Sequence, residues 1–165
     1  GDNGGAIFLD EGSCVLRRNI TIRGNAADDN GGAIYMITDS EVEFTDSVRV
    51  ENNRAGNDGG GIYLRVSSSF VARREVWILD NTADDDGGAF YQSTAAELEL
   101  TDNVTVTGNR ARDGGGVSML WASSTFTARR SVVISGNSAI SSGGVIYAWD
   151  SVVEVSDGVT IVENE

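Results

Sequence analysis

Five words decide how this chain folds: Ile22-Arg23-Gly24-Asn25-Ala26-Ala27, Val50-Glu51-Asn52-Asn53-Arg54-Ala55, Ile78-Leu79-Asp80-Asn81-Thr82-Ala83, Val106-Thr107-Gly108-Asn109-Arg110-Ala111 and Ile134-Ser135-Gly136-Asn137-Ser138-Ala139. Each reads aliphatic, two variable residues, Asn, one variable residue, Ala, and each Asn lies 28 residues after the last. A sixth copy is Ile161-Val162-Glu163-Asn164. A fixed period of this length is the signature of a repeat architecture, in which each unit buries its apolar face only against its neighbours.

Inside each unit the apolar residues alternate with period two, as strands require and helices do not. The fifth residue before each Asn is Ile20, Val48, Val76, Val104, Val132 or Val159, and the third is Ile22, Val50, Ile78, Val106, Ile134 or Ile161. Such β-branched columns suit a buried pleated surface. An earlier strand sets Cys14, Val42, Phe70, Leu98, Phe126 and Val153 beside Leu16, Phe44, Ala72, Leu100, Ala128 and Val155. Large residues meet small ones there, as close packing demands. Every unit also carries a glycine pair, in GGAI at Gly4 and Gly31, GGGI at Gly59, GGAF at Gly87, GGGV at Gly114 and GGVI at Gly143. Their spacings of 27, 28, 28, 27 and 29 place the slack in turns. The fold expected is all-β: a parallel β-helix of about six coils of about 28 residues, right-handed in keeping with strand twist.

The pairing of GGA(I/V/L) with a downstream Asn-terminated word resembles the repeats of the chlamydial polymorphic outer-membrane protein family, whose motifs are GGA(I/L/V) and FxxN. The resemblance runs through the whole chain, with Ile or Val in place of the FxxN phenylalanine (Ile22, Val50, Ile78, Val106, Ile134, Ile161). It implies a right-handed parallel β-helix in a surface or secreted scaffold. The 165 residues read as a single β-helix segment of a larger repeat protein.

Charge and composition narrow the chemistry. Twenty-five acidic side chains against 12 basic ones leave a net charge of −13, which repels nucleic-acid phosphate and anionic lipid. All the basic residues are Arg, and His and Lys are absent, which removes the usual general bases. Asp84, Asp85 and Asp86 resemble a carboxylate cluster of carbohydrate-cleaving solenoids, but no His or Lys accompanies them, so no catalytic residue is assigned. Apolar runs of four or five residues contain no membrane span. The single cysteine, Cys14, sits in a core column.

The remaining recurrent residues divide between structure and binding. Asn25, Asn53, Asn81, Asn109 and Asn137 are expected to form a side-chain ladder between coils. Acidic residues before the glycine pairs stack at one corner, where any Ca²⁺ binding is expected to be weak and to centre on Asp58 and Asp86; otherwise no cofactor is expected. Tyr35, Tyr63, Tyr91 and Tyr147 form a column that is core if it faces in and a glycan platform if it faces out. Trp77 and Leu79 occupy the outward phase of their strand and mark a surface for another protein segment or a second copy. Asn19-Ile20-Thr21 and Asn103-Val104-Thr105 fit the N-glycosylation acceptor pattern.

A second period hides inside the first. Arg17-Arg18, Thr45-Asp46, Arg73-Arg74, Thr101-Asp102, Arg129-Arg130 and Ser156-Asp157 alternate coil by coil, and Glu43, Glu99 and Glu154 occur only in the Asp coils. Stacking predicts a continuous charge ladder through Arg18, Asp46, Arg74, Asp102, Arg130 and Asp157, making the unit two coils. The function this supports is a non-catalytic extracellular or cell-surface scaffold or spacer, structural or adhesive, in a larger surface or filament protein. The alternative is a carbohydrate-binding or carbohydrate-cleaving β-helix.

Overall fold

Alternating β-branched residues punctuated by turn words do form a solenoid. The computed structural model describes residues 2–165, at 119 the backbone alone. The second coil shows the plan, with strands Ile34–Ile37, Glu41–Thr45, Val48–Glu51 and Arg54–Ala55. Equivalent strands stack into four sheets, three of six strands and one of five, and neighbouring strands pair in parallel. Each inner coil therefore pairs its strand backbone with the coil above and the coil below, so the register of one sheet fixes that of the others.

The predicted columns are the core of the middle coils, whereas Val153, Val155 and Ile161 of the last coil stay exposed. Val48, Val76, Val104 and Val132, with Val50, Ile78, Val106 and Ile134, are fully buried. So are Phe44, Phe70, Ala72, Leu100, Phe126 and Ala128 of the second sheet. Phe44 and Phe70 meet edge to face at 4.9 Å, each ring standing in the space left by a smaller residue. At about 1.5–3 kcal/mol for each large aliphatic or aromatic side chain removed from water, these columns dominate the stability of the rod.

Three kinds of corner turn the chain, one of them holding a single left-handed residue just before the ladder Asn, as at Asn52 and Asp80. Between the first and second strands, and again between the second and third, two successive residues adopt left-handed backbone angles, as at Val66-Ser67 and Arg74-Glu75. At the glycine corner the first glycine of the pair is left-handed, with φ +65° at Gly59 and +66° at Gly87. The second glycine is required by contact: a Cβ on Gly88 would collide with Gly116 O and with the backbone of Arg110. The fifth coil corrects the expected alignment. Phe90 pairs with Ser118, so Gly115 and Gly116, rather than Gly114 and Gly115, are the equivalent pair, and Gly115 carries the positive φ. The spacing there is 28, and Gly114 belongs to the preceding turn, where it bridges Ser142.

Candidate functional site

The Asn words place their side chains inside the rod. Nδ2 of Asn25, Asn53, Asn81 and Asn109 each donates to Oδ1 of the next Asn at 2.9–3.0 Å, and the last step, Asn137 to Asn164, is 2.9 Å. Each Oδ1 also accepts the backbone N–H of the Asn before it, at 3.0–3.1 Å. The amide's second hydrogen goes to a carbonyl of the preceding coil, as from Asn81 to Val50 O at 3.1 Å. Asn53, Asn81, Asn109 and Asn137 are buried with these bonds complete.

A serine column that sequence reading missed stands at another corner. Ser40, Ser68 and Ser124 each donate from Oγ to the carbonyl three residues earlier, closing a turn. The same hydroxyls accept backbone N–H groups of the preceding coil, from Gly12, Ser40 and Ala96 respectively. The signal was present as serines 28 and 56 residues apart, broken only by Ala96. Gln92 was missed as well. It occupies a leucine position of the first sheet, fully buried, accepting from Ser118 Oγ and donating to Thr125 O, both at 2.9 Å.

The alternating charges meet, but in a different pattern from the continuous ladder expected. Arg74 Nε lies 3.1 Å from Asp46 Oδ1 and donates to Thr45 Oγ1 at 3.0 Å, while Arg73 pairs with Glu43. Arg130 and Arg129 repeat this on Asp102, Thr101 and Glu99. The coils of Arg73-Arg74 and Arg129-Arg130 thus each clamp the coil before them. Among the described residues no ion pair joins Arg74 to Asp102 or Arg130 to Asp157, and Arg18 makes none. The guanidinium is already engaged by a hydroxyl and a carboxylate on one side, which draws it away from the carboxylate on the other. The column is a set of separate clamps 56 residues apart.

The acidic corner stacks Asp58 under Asp86, with the Asp86 N–H donating to Asp58 Oδ1 at 3.2 Å. Burial, then the neighbouring Asp86 carboxylate, pushes Asp58 up to about 6. Among the described residues no group of three or more His, Cys, Asp or Glu side chains is placed to hold a metal ion.

The tyrosine column faces outward and packs on itself. Rings of Phe8, Tyr35, Tyr63 and Tyr91 stack at 4.9–5.2 Å within 21° of parallel, leaving Tyr63 only 7% exposed. Ring faces are thus covered by ring faces, and the stack shows solvent its edges. Further along, Trp121 lies tilted against Tyr147 and Trp149 at 6.3 and 6.0 Å, and Trp149 is 60% exposed. On the third sheet Trp77 and Leu79 are half-buried in the outward phase, and the Arg49 guanidinium lies 4.3 Å from the Trp77 ring centre. That cation–π contact shields much of the indole. Asn19 and Asn103 are exposed at left-handed corner positions. Cys14 is partly buried in its column, which pushes its thiol up, away from the reactive thiolate.

A shallow groove of about 310 Å³ lies over the second sheet, lined by Ser13, Cys14, Val15, Glu41, Val42, Glu43, Ser69, Val71 and Arg73. No helix is long and apolar enough to cross a membrane. Comparison with curated proteins and with solved structures yields no match. The family model described as the right handed beta helix region matches residues 3–165. With parallel strands, 28-residue coils and ladders running between them over that same span, the chain belongs to the right-handed β-helix family.

Proposed function

We propose that this β-helical scaffold is a non-catalytic extracellular or cell-surface spacer, carrying adhesive contacts on the sides of a rigid rod. The observation that supports this most is where the recurrent polar side chains point. The Asn column, the serine column and the Arg clamps all bond between coils, so the residues that recur most faithfully serve stacking. The GGA(I/V/L) and Asn words resemble the repeats of the chlamydial surface-protein family, which supports a surface placement. Contacts with other segments or copies fall to the outward apolar residues Trp77 and Leu79. Mild proteolysis of intact source cells tests the placement: peptides of this segment are released without lysis, and their appearance only after lysis contradicts it.

Carbohydrate binding is the second reading, favoured by one observation: the tilted cluster of Trp121, Tyr147 and Trp149 offers ring faces that the tyrosine stack does not. A glycan array read alongside Trp149→Ala separates the two. Binding that the substitution abolishes supports the second reading, and absence of binding leaves the scaffold.

A further inference from the structure

The glycine corner carries a second, shorter column of Asn and Asp side chains. Asn30 donates both its backbone N–H and its Nδ2 to Asn3 Oδ1, each at 3.2 Å. Asn30 Oδ1 accepts the Asp58 N–H, and Asp58 Oδ1 accepts the Asp86 N–H, again at 3.2 Å. The backbone bond recurs at each step; the side-chain bond does not. A carboxylate has no hydrogen to donate, so among the described residues nothing links the Asp58 side chain to Asn30 Oδ1 as Asn30 is linked to Asn3.

A neutral carboxyl group has nearly the shape of an Asn amide, with one O–H in place of an N–H. We propose that this corner is a proton-operated clasp, in which Asp58, once protonated, donates to Asn30 Oδ1 and extends the Asn3–Asn30 column by one rung, tightening the middle of the rod. This device goes beyond the scaffold reading and does not depend on where the protein is located.

The surroundings single out Asp58. Asp84 pairs with Arg54, Asp85 and Asp113 pair with Arg112, and Asp29 accepts a hydrogen bond from Asn57. Asp58 has Asp86 and Asp85 as its charged neighbours in the next coil and, among the described residues, no cation bonded to it. Burial, Asp113 and Asp85 push Asp86 in the same direction, against the Gly114 N–H and Arg112. On the first sheet, burial pushes Tyr63 up to about 12 and Tyr91 higher still, so both stay neutral, and Arg65 is the nearby cation. Asp28, in the equivalent turn of the preceding coil, completes the acidic set.

The sign follows from linkage. Asp58 sits at about 6 in the rod and returns to 3.8 on unfolding, so the folded chain holds the extra proton between those values. Stability from this group is fully present below the lower value and is lost as pH rises through the higher one. Thermal melts of the wild type and of Asp58→Asn at a series of pH values, with a carbon-13 NMR titration of the Asp carboxyl groups in the wild type, test the clasp. The wild-type Tm rises by several degrees from about pH 7 to about pH 5, since a domain of this size shifts roughly 2–4 °C per kcal/mol. Asp58→Asn, which supplies the donor permanently, melts higher than wild type at neutral pH and shows a smaller rise, the remainder coming from Asp86. The NMR midpoint of Asp58 falls near 6. An ordinary carboxylate midpoint, or an acid-side rise undiminished in Asp58→Asn, overturns the proposal. If the variant does not fold, the wild-type titration decides alone.

Discussion

Asn81 accepts the backbone N–H and the amide of Asn53, and donates to Asn109 and to Val50 O, all within the buried interior. Asn81→Leu leaves several of those groups facing apolar surface, and each buried group without a partner costs about 1–3 kcal/mol. The midpoint of urea unfolding therefore falls sharply, whereas Thr21→Leu, at an exposed strand position, leaves it nearly unchanged. The Asn column was legible because a polar residue repeating at a fixed period beside β-branched residues has few other uses. Gln92 was not legible. A single glutamine in a leucine column carries no periodic signal, and its partners Ser118 and Thr125 become neighbours only when coils stack.

At the scale of strands and corners, Val66 is the residue whose conformation fits its chemistry least. It begins a two-residue left-handed corner at φ +53°, where a β-branched side chain crowds its own backbone. The equivalent positions hold Glu11, Thr38, Thr94, Ala122 and Asp150, while the other two-residue corner uses Arg, Asp, Asn, Ser and Glu, with Gly158 in the last coil. Left-handed backbone costs an ordinary residue about 1–2 kcal/mol, and Asn tolerates it best after Gly. Val66→Asn is accordingly expected to raise Tm, and a fall in Tm would show that the half-buried side chain contributes more by packing than the backbone loses. Strand phase was readable because period two is a property of local sequence. The alignment of the glycine pair in the fifth coil was not: three consecutive glycines, Gly114, Gly115 and Gly116, offer two registers, and only the pairing of Phe90 with Ser118 selects between them. The direction of the Arg clamps was equally hidden, because sequence alternation is symmetrical while a guanidinium bonded to Thr45 and Asp46 is not.

Over the whole molecule the repeating unit is two coils. Clamps join the second coil to the third and the fourth to the fifth, through Arg73 and Arg74 in one case and Arg129 and Arg130 in the other. Each ion pair is partly exposed and stabilises by about 0–1 kcal/mol, so the clamps matter chiefly for register: a rod slipped by one coil loses them and brings like charges together. The direct test compares two deletions that preserve the Asn-x-Ala junction. Removing residues 54–109 takes out two coils and leaves Arg129 and Arg130 facing Glu43 and Asp46. Removing residues 54–81 takes out one coil and sets Glu43 and Asp46 against Glu99 and Asp102. In low-salt thermal melts the two-coil deletion keeps the higher Tm although it loses more core, and added salt narrows the gap. A one-coil deletion as stable as the two-coil deletion, or more stable, contradicts the two-coil unit.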